Sequence, residues 1–279
     1  MPPLLGLVPC QLATQQAHWD SLAEAAFNRL WRAHADQVNR ALLARWLPAA
    51  SPSVLLKTDA FDEAMGDGPL DRVDHVGGLR IITDISHPLL KSATASHPHL
   101  LAVCADARSL PFRPDSLDCV ISLSTLDHFT SAAEIRQSLV ELHRSLKPGG
   151  TLIITLHNHH NPVVGLRNAM PKKPLYATGV LPYHVGATHG EKDLRAVLSE
   201  LGFDIIDARF ILHCPRILAI PLSHLIARLG EGAHRWWLSM LFGWERLDRF
   251  PTACRTGHFV AALARKRDVR TDPPTPVQS

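Results

Sequence analysis

Cysteine is sparse and unpatterned in this 279-residue chain. The five residues, Cys10, Cys104, Cys119, Cys214 and Cys254, include no C-x-x-C pair. That spacing excludes a disulfide framework and a zinc ribbon, and it fits a reducing compartment. No apolar run reaches the length of a membrane span, and the apolar Met1–Cys10 lacks the basic flank of a signal peptide. The expectation is a soluble, cytoplasmic protein. Charge of one sign is also lacking: the net charge is +3, and no dense basic cluster is interleaved with aromatics. Nucleic acid is therefore not the expected partner.

What is present is a chain of 46% hydrophobic and 20% charged residues, enough for one substantial α/β domain with additions. The most informative stretch is Leu101–Phe129. A short apolar strand, Leu101–Ala105, ends at Asp106. A turn holding Pro111, Pro114 and Asp115 follows, and Leu117–Leu123 forms the next apolar run before Ser122, Ser124, Asp127 and His128. Strands apolar on both faces belong to parallel sheets covered by helices, and their carboxyl ends form the ligand crevice. These polar residues are expected to face a ligand.

The rest of the chain repeats the alternation. Residues 18–47 read as one long helix through Leu22, Ala26, Leu30, Ala33, Val38, Leu42 and Trp46, ended by Pro48. Its tryptophans, Trp19, Trp31 and Trp46, either anchor it to the sheet or wall a substrate site. Strands are expected at Ser53–Lys57 and at Leu79–Thr83, the second ending in Asp84, with Ser86 capping a helix that tolerates Pro88. Ser131-x-x-Glu134 forms a capping box, and Lys147-Pro148-Gly149-Gly150 turns that helix into the strand Thr151–Leu156. A second box, Thr188-x-x-Glu191, opens a helix closed by Gly202, followed by strands near Asp204–His213 and His258–Ala264. The pattern predicts an α/β, doubly wound sheet.

Asp106-Ala107-Arg108-Ser109-Leu110-Pro111-Phe112, Leu117-Asp118-Cys119-Val120 and Leu146-Lys147-Pro148-Gly149-Gly150, in that order, resemble the class I S-adenosylmethionine-dependent methyltransferases. The likeness is nearest to the small-molecule branch that includes ubiquinone and menaquinone biosynthesis enzymes. It covers Val54 to Leu156 well and the last strand loosely. It implies a Rossmann-like seven-stranded sheet with the last strand antiparallel, an N-terminal helix and lid insertions. The implied cofactor is S-adenosyl-L-methionine, and the implied reaction is methyl transfer to a small, hydrophobic molecule. One departure stands out. The family's glycine-rich first loop is replaced by Lys57-Thr58-Asp59-Ala60-Phe61-Asp62-Glu63-Ala64, with no glycine before Gly66 and Gly68. A non-catalytic binding or scaffold protein of the same fold is the alternative.

The resemblance assigns cofactor contacts to Lys57, Thr58, Asp59, Asp84, Ile85, Asp106, Ala107, Ser122, Leu123 and Ser124. Asp84 is placed at the ribose hydroxyls, as dinucleotide sites also suggest, and Asp106 and Ala107 at the adenine. His128 and His157 are the candidates for a catalytic base, each open to a purely structural reading. His157-Asn158-His159-His160-Asn161 has no metal-ligand spacing, so no metal is expected. The organisation expected is an N-terminal helical segment (1–50) and a methyltransferase domain (51–266), followed by a disordered tail (267–279). Within the domain, 157–190 is read as a lid that includes Tyr183, His184 and His189. Residues 214–256 are read as an apolar helical insertion. With Pro215, Pro221, Pro251, Trp236, Trp237 and Trp244, that insertion should form two short helices. They cap the substrate, meet a second subunit, contact a membrane surface peripherally, or pack on residues 18–47.

Overall fold

The computed structural model describes residues 16–17, 19–20, 28–48, 52–70, 78–169 and 190–268. Helix α1 (Arg29–Trp46) starts later than the periodicity predicts because the Asn28 side chain accepts the Trp31 N–H and fixes the first turn there. Leu22 and Ala26 lie outside the described residues. Strand β1 (Val54–Lys57) is followed at once by a short helix, α2 (Phe61–Met65). Then come β2 (Leu79–Asp84), α3 (His87–Ser96, capped by Ser86), β3 (Leu101–Cys104) and β4 (Leu117–Leu123).

Helix α4 (Ala132–Ser145) carries the Ser131/Glu134 capping box. It gives way directly to β5 (Leu146–His157), which takes in the Lys-Pro-Gly-Gly turn. Gly149 takes φ +75° there, a conformation that favours glycine. The first part of the expected lid is helix α5 (Pro162–Ala169); residues 170–189, with Tyr183, His184 and His189, lie outside the described residues. Helix α6 (Glu191–Glu200) is capped at Gly190, whose N–H donates to Asp193, and not at Thr188, which is also outside them. Strand β6 (Phe203–Ile211) leads into α7 (Arg216–Ile226) and α8 (Glu231–Gly243). A 3-10 turn (Trp244–Arg249) and one helical turn, α9 (Ala253–Thr256), then lead to β7 (Phe259–Lys266). The expected tail beyond Asp268 is outside the described residues.

The sheet order is β3-β2-β1-β4-β5-β7-β6. Strands β1 to β5 run parallel, and β7 runs antiparallel to both β5 and β6. This is the doubly wound, Rossmann-like sheet expected, and the reversal of order between β1 and β4 creates the crevice at the carboxyl ends. Two hydrophobic layers cover it. One joins α1, α3, α7 and α8 to the sheet through Leu43, Trp46, Leu55, Ile121, Ala219 and Trp237. The other joins α4 and α6 through Leu139, Leu142, Leu194 and Leu198. The insertion therefore packs on α1, and Trp31 and Trp46 are core anchors. No helix among the described residues is long and apolar enough to cross a membrane.

Candidate active site

The carboxyl ends of β1, β2 and β4 bring Thr58, Asp59, Asp84 and Ser122–Thr125 together. Thr58 Oγ1 lies 3.0 Å from Ser122 Oγ and 2.9 Å from Thr125 Oγ1, and the Thr125 hydroxyl donates to Asp59 Oδ2 at 3.0 Å. Ser124 adopts φ +55°, which turns the chain out of β4. Its N–H donates to Thr155 on β5 and its hydroxyl to Asp127.

Lys57 does not line the crevice. It is fully buried, at 0% exposure, and its ammonium donates to Asp59 Oδ1 (2.7 Å) and Glu63 Oε2 (2.8 Å) and lies 3.3 Å from Asp62 Oδ2. From α1, the Arg32 guanidinium pairs with Asp62 and, at 3.1 Å, with Asp36. Two cations thus face four carboxylates, and burial pushes Glu63 up to about 7 and Asp36 to about 6 despite those cations. The two late glycines serve this cluster. A Cβ on Gly68 (φ +64°) would stand 2.7 Å from the Glu63 side chain, and one on Gly66 would stand 2.7 Å from Asp36 Oδ2. The loop after β1 is closed by ion pairs where glycines would otherwise bring backbone to a ligand.

Asp84 sits half-buried at the crevice. Its oxygens accept the Ala60 N–H (3.1 Å) and the Ser86 N–H (2.9 Å), and burial raises it to about 6. Each oxygen keeps a lone pair for a further donor. Ile85 is half-buried beside it. Asp106 differs: Arg108 closes on both its oxygens, with Nε at 3.0 Å from each and Nη2 at 2.7 Å from Oδ2, and the Arg108 N–H donates to Oδ1. The carboxylate expected at an adenine is thus saturated within its own turn, leaving the half-buried turn around the buried Ala107. Ser122 and Leu123 are buried, so only Ser124 of that trio has an exposed fraction worth counting.

The two histidine candidates separate. His157 is buried because β7 brings Phe259 opposite it and His258 over its ring, with centroids 4.9 and 5.1 Å away. Its Nδ1 touches the fully buried Asp127, which also accepts the His157 backbone N–H at 3.1 Å. Burial works to raise Asp127, but the His157 contact and the Ser124 hydroxyl outweigh it and hold the acid at about 2. Burial likewise pushes His157 down, overriding Asp127. Asp127, expected to face a ligand, instead pins β4 to β5. His128 is partly exposed at the mouth, its ring 4.7 Å from Trp19 and its Nε2 3.8 Å from Asp127 Oδ1. Asn158 is buried and structural, donating to the Cys254 and Gly257 carbonyls. No group of three or more metal-ligating side chains is gathered among the described residues.

Sequence reasoning missed Arg32, Asp36 and Glu63. Lys57 at the end of an apolar strand, with acids two, five and six residues on, was the signal for the last.

The architecture is that of the S-adenosylmethionine-dependent methyltransferases. One from Mesorhizobium loti superposes with a TM-score of 0.54 at 19% identity over 81% of this chain and 96% of that one. Residues 69–154 match the family model of a methyltransferase domain, a match that begins just past the ion-paired loop. Over 73 residues the chain is 38% identical to a tRNA (carboxymethyluridine(34)-5-O)-methyltransferase of Arabidopsis thaliana, covering 26% of this chain and 18% of that protein. Over 208 residues it is 33% identical to the biotin biosynthesis bifunctional protein BioHC of Cellvibrio japonicus, covering 72% of this chain and 39% of that protein. The chain thus spans less than half the length of these curated relatives. Residues 69–154 thus resemble a methyltransferase domain, and the sheet has the fold of the solved methyltransferases it superposes on.

Proposed function

We propose that this chain is an S-adenosylmethionine-dependent methyltransferase acting on a small, hydrophobic molecule. The observation that carries the reading is the crevice at the β1/β4 switch point, with Asp84 at its rim and lone pairs left for ribose hydroxyls. The residues present fit the cofactor. Asp84 would hold the ribose, and the turn at Ala107 would border the adenine. The acid-rich end of β1, with Asp59 and the hydroxyls of Thr58 and Thr125, suits a cationic methionine end. Bound there, S-adenosylmethionine supplies an activated methyl group and leaves as a neutral thioether. Orientation of the acceptor can then supply most of the rate, and a strong base is optional. Of the two histidines, His128 has the access to take a proton from an acceptor, with Asp127 beneath it. His157, buried and neutral, orients Asp127. The hydrophobic acceptor is what the resemblance to the small-molecule branch implies.

One observation favours the rival reading, a non-catalytic binding protein: the ion-paired loop occupies the place of the family's glycine turn. Calorimetric titration with S-adenosylmethionine and S-adenosylhomocysteine decides. The expected outcome is micromolar binding, weakened at least about tenfold by Asp84→Ala and less by Asp106→Ala, whose carboxylate already serves Arg108. No binding of either ligand to the folded chain would remove the catalytic reading.

A further inference from the structure

Helix α7 presents an apolar face to solvent. Its sheltered side carries small residues, Ala219 and Ser223, and Ser223 accepts the Trp237 indole N–H from α8 at 2.8 Å. Ile220 and Ile226 pack against the core, but four other large apolar side chains point to solvent: Ile217 (65% exposed), Leu218 (60%), Leu222 and Leu225, with Leu229 just beyond its end. At 100° per residue these positions and the exposed Pro221 fall within about 140° of the helix circumference, a continuous apolar face. Trp236, Trp244 and Phe250 are exposed on the segments that follow. Soluble monomers rarely show so many large apolar side chains in one region without a use for them.

Charge identifies the use. Residues 214–256 hold six arginines, no lysine and three acids, a net +3 that equals the net charge of the whole chain. The acids are turned inward or paired. Glu245 accepts the Leu212 and His213 backbone N–H groups, Asp248 pairs with Arg209, and Glu231 lies 3.7 Å from Arg235. Arg228 is exposed just after α7, and Arg246, Arg249 and Arg255 are exposed on the same segments as Trp244 and Phe250. A two-fold contact between copies would set these arginines against their own images.

We propose that α7 and the segment to Phe250 form a docking face for an anionic lipid surface, with the leucines entering the interface and the arginines meeting acidic headgroups. The face adjoins the crevice. Arg216, the first residue of α7, lies over Trp31 (5.5 Å) and Phe259 (6.0 Å), and Phe259 pairs with His157 in the sheet. Docking therefore places the open side of the site near the bilayer, where a lipophilic acceptor would partition. The docking itself does not rest on the methyl-transfer reading, because it is measured without cofactor.

The test is flotation of the full chain with phosphatidylcholine vesicles made with and without phosphatidylserine. Binding is expected on the anionic vesicles, weaker on neutral ones and falling as salt is raised. Leu218→Glu with Leu225→Glu should reduce it at least about tenfold, and Arg228→Glu with Arg249→Glu should abolish the preference for phosphatidylserine. Circular dichroism melting should leave all variants folded, since the altered side chains are exposed. Absence of wild-type flotation on anionic vesicles would overturn the proposal, as would flotation unaffected by the leucine changes. A dimer in sedimentation equilibrium, dispersed by those changes and unaccompanied by vesicle binding, would assign the face to a second copy instead.

Discussion

Carboxylates are buried at the ends of two neighbouring strands, and each site neutralises them in its own way. Past β1, Asp59, Asp62 and Glu63 surround the Lys57 ammonium, with Arg32 and Asp36 closing the far side. Past β4, Asp127 has a histidine ring, a serine hydroxyl and a backbone N–H. Acids outnumber cations in the first cluster, and burial raises two of them, Glu63 to about 7 and Asp36 to about 6. The second is a single acid with several donors, and it stays ionised far into acid. A buried charge held by a permanent cation fixes a loop; one held by donors from two segments ties strands together. The likeness to the methyltransferase domain model starts after the first of these regions and includes most of the second.

The comparison breaks most visibly at Lys57. Replacing it with Met strands the buried Glu63 and takes a partner from Asp59 and Asp62, and is expected to cost about 3–5 kcal/mol, read as a lower urea midpoint, with partial recovery when Glu63→Gln is added. A recovery-free loss would mean that packing of the lysine stem, not its charge, holds the loop. Asp127→Ala should cost less, about 2–3 kcal/mol, and free the His157 ring, visible as a changed imidazole resonance in NMR. Gly68→Ala combines a positive φ with a contact against Glu63, and a loss of about 1–2 kcal/mol in thermal or urea unfolding is expected. An unchanged midpoint would show that the loop is not packed against Glu63.

The smallest effect is on pH dependence. Glu63, raised to about 7 from 4.5, binds more protons folded than unfolded between those values, so it makes stability fall as pH rises through that window. Asp127 is lowered to about 2 from 3.8, so its contribution is present above pH 3.8 and is lost as pH falls through 2. Glu63→Gln should therefore gain melting temperature relative to wild type as pH is raised from 4.5 to 7. A difference that stays flat would contradict the assignment.

Much of the fold could be read locally. Strands β2 and β4 and the capping box at Ser131 and Glu134 follow from apolar runs and short-range signals within a few residues of one another. The site was less legible where its partners are distant in sequence. Lys57 looks like a loop cation until Arg32 and Asp36 arrive from a helix some twenty residues earlier. His157 looks exposed at a strand end until Phe259 and His258, a hundred residues on, cover it. Asp106 is the instructive exception: its partner, Arg108, is two residues away, yet the family likeness drew attention to a ligand first. The start of α1 was misplaced because helical spacing continues upstream of Asn28, and only the side-chain cap shows where the described helix begins.

The place of β7 in the sheet bears on how the chain is made. It is made after the other six strands of the sheet, yet it lies between β5 and β6, bonded to both. Until residues 259–266 emerge, β5 has no neighbour on that side and β6 has no sheet to join. The Lys266 ammonium then closes the structure on Asp115 and on the His143 and Leu146 carbonyls, each at 2.8 Å. Synthesis of β7 thus removes an open strand edge, the feature most prone to pairing with another nascent chain. Pausing before that point would prolong the exposure, and a chaperone that shields strand edges would find its substrate there.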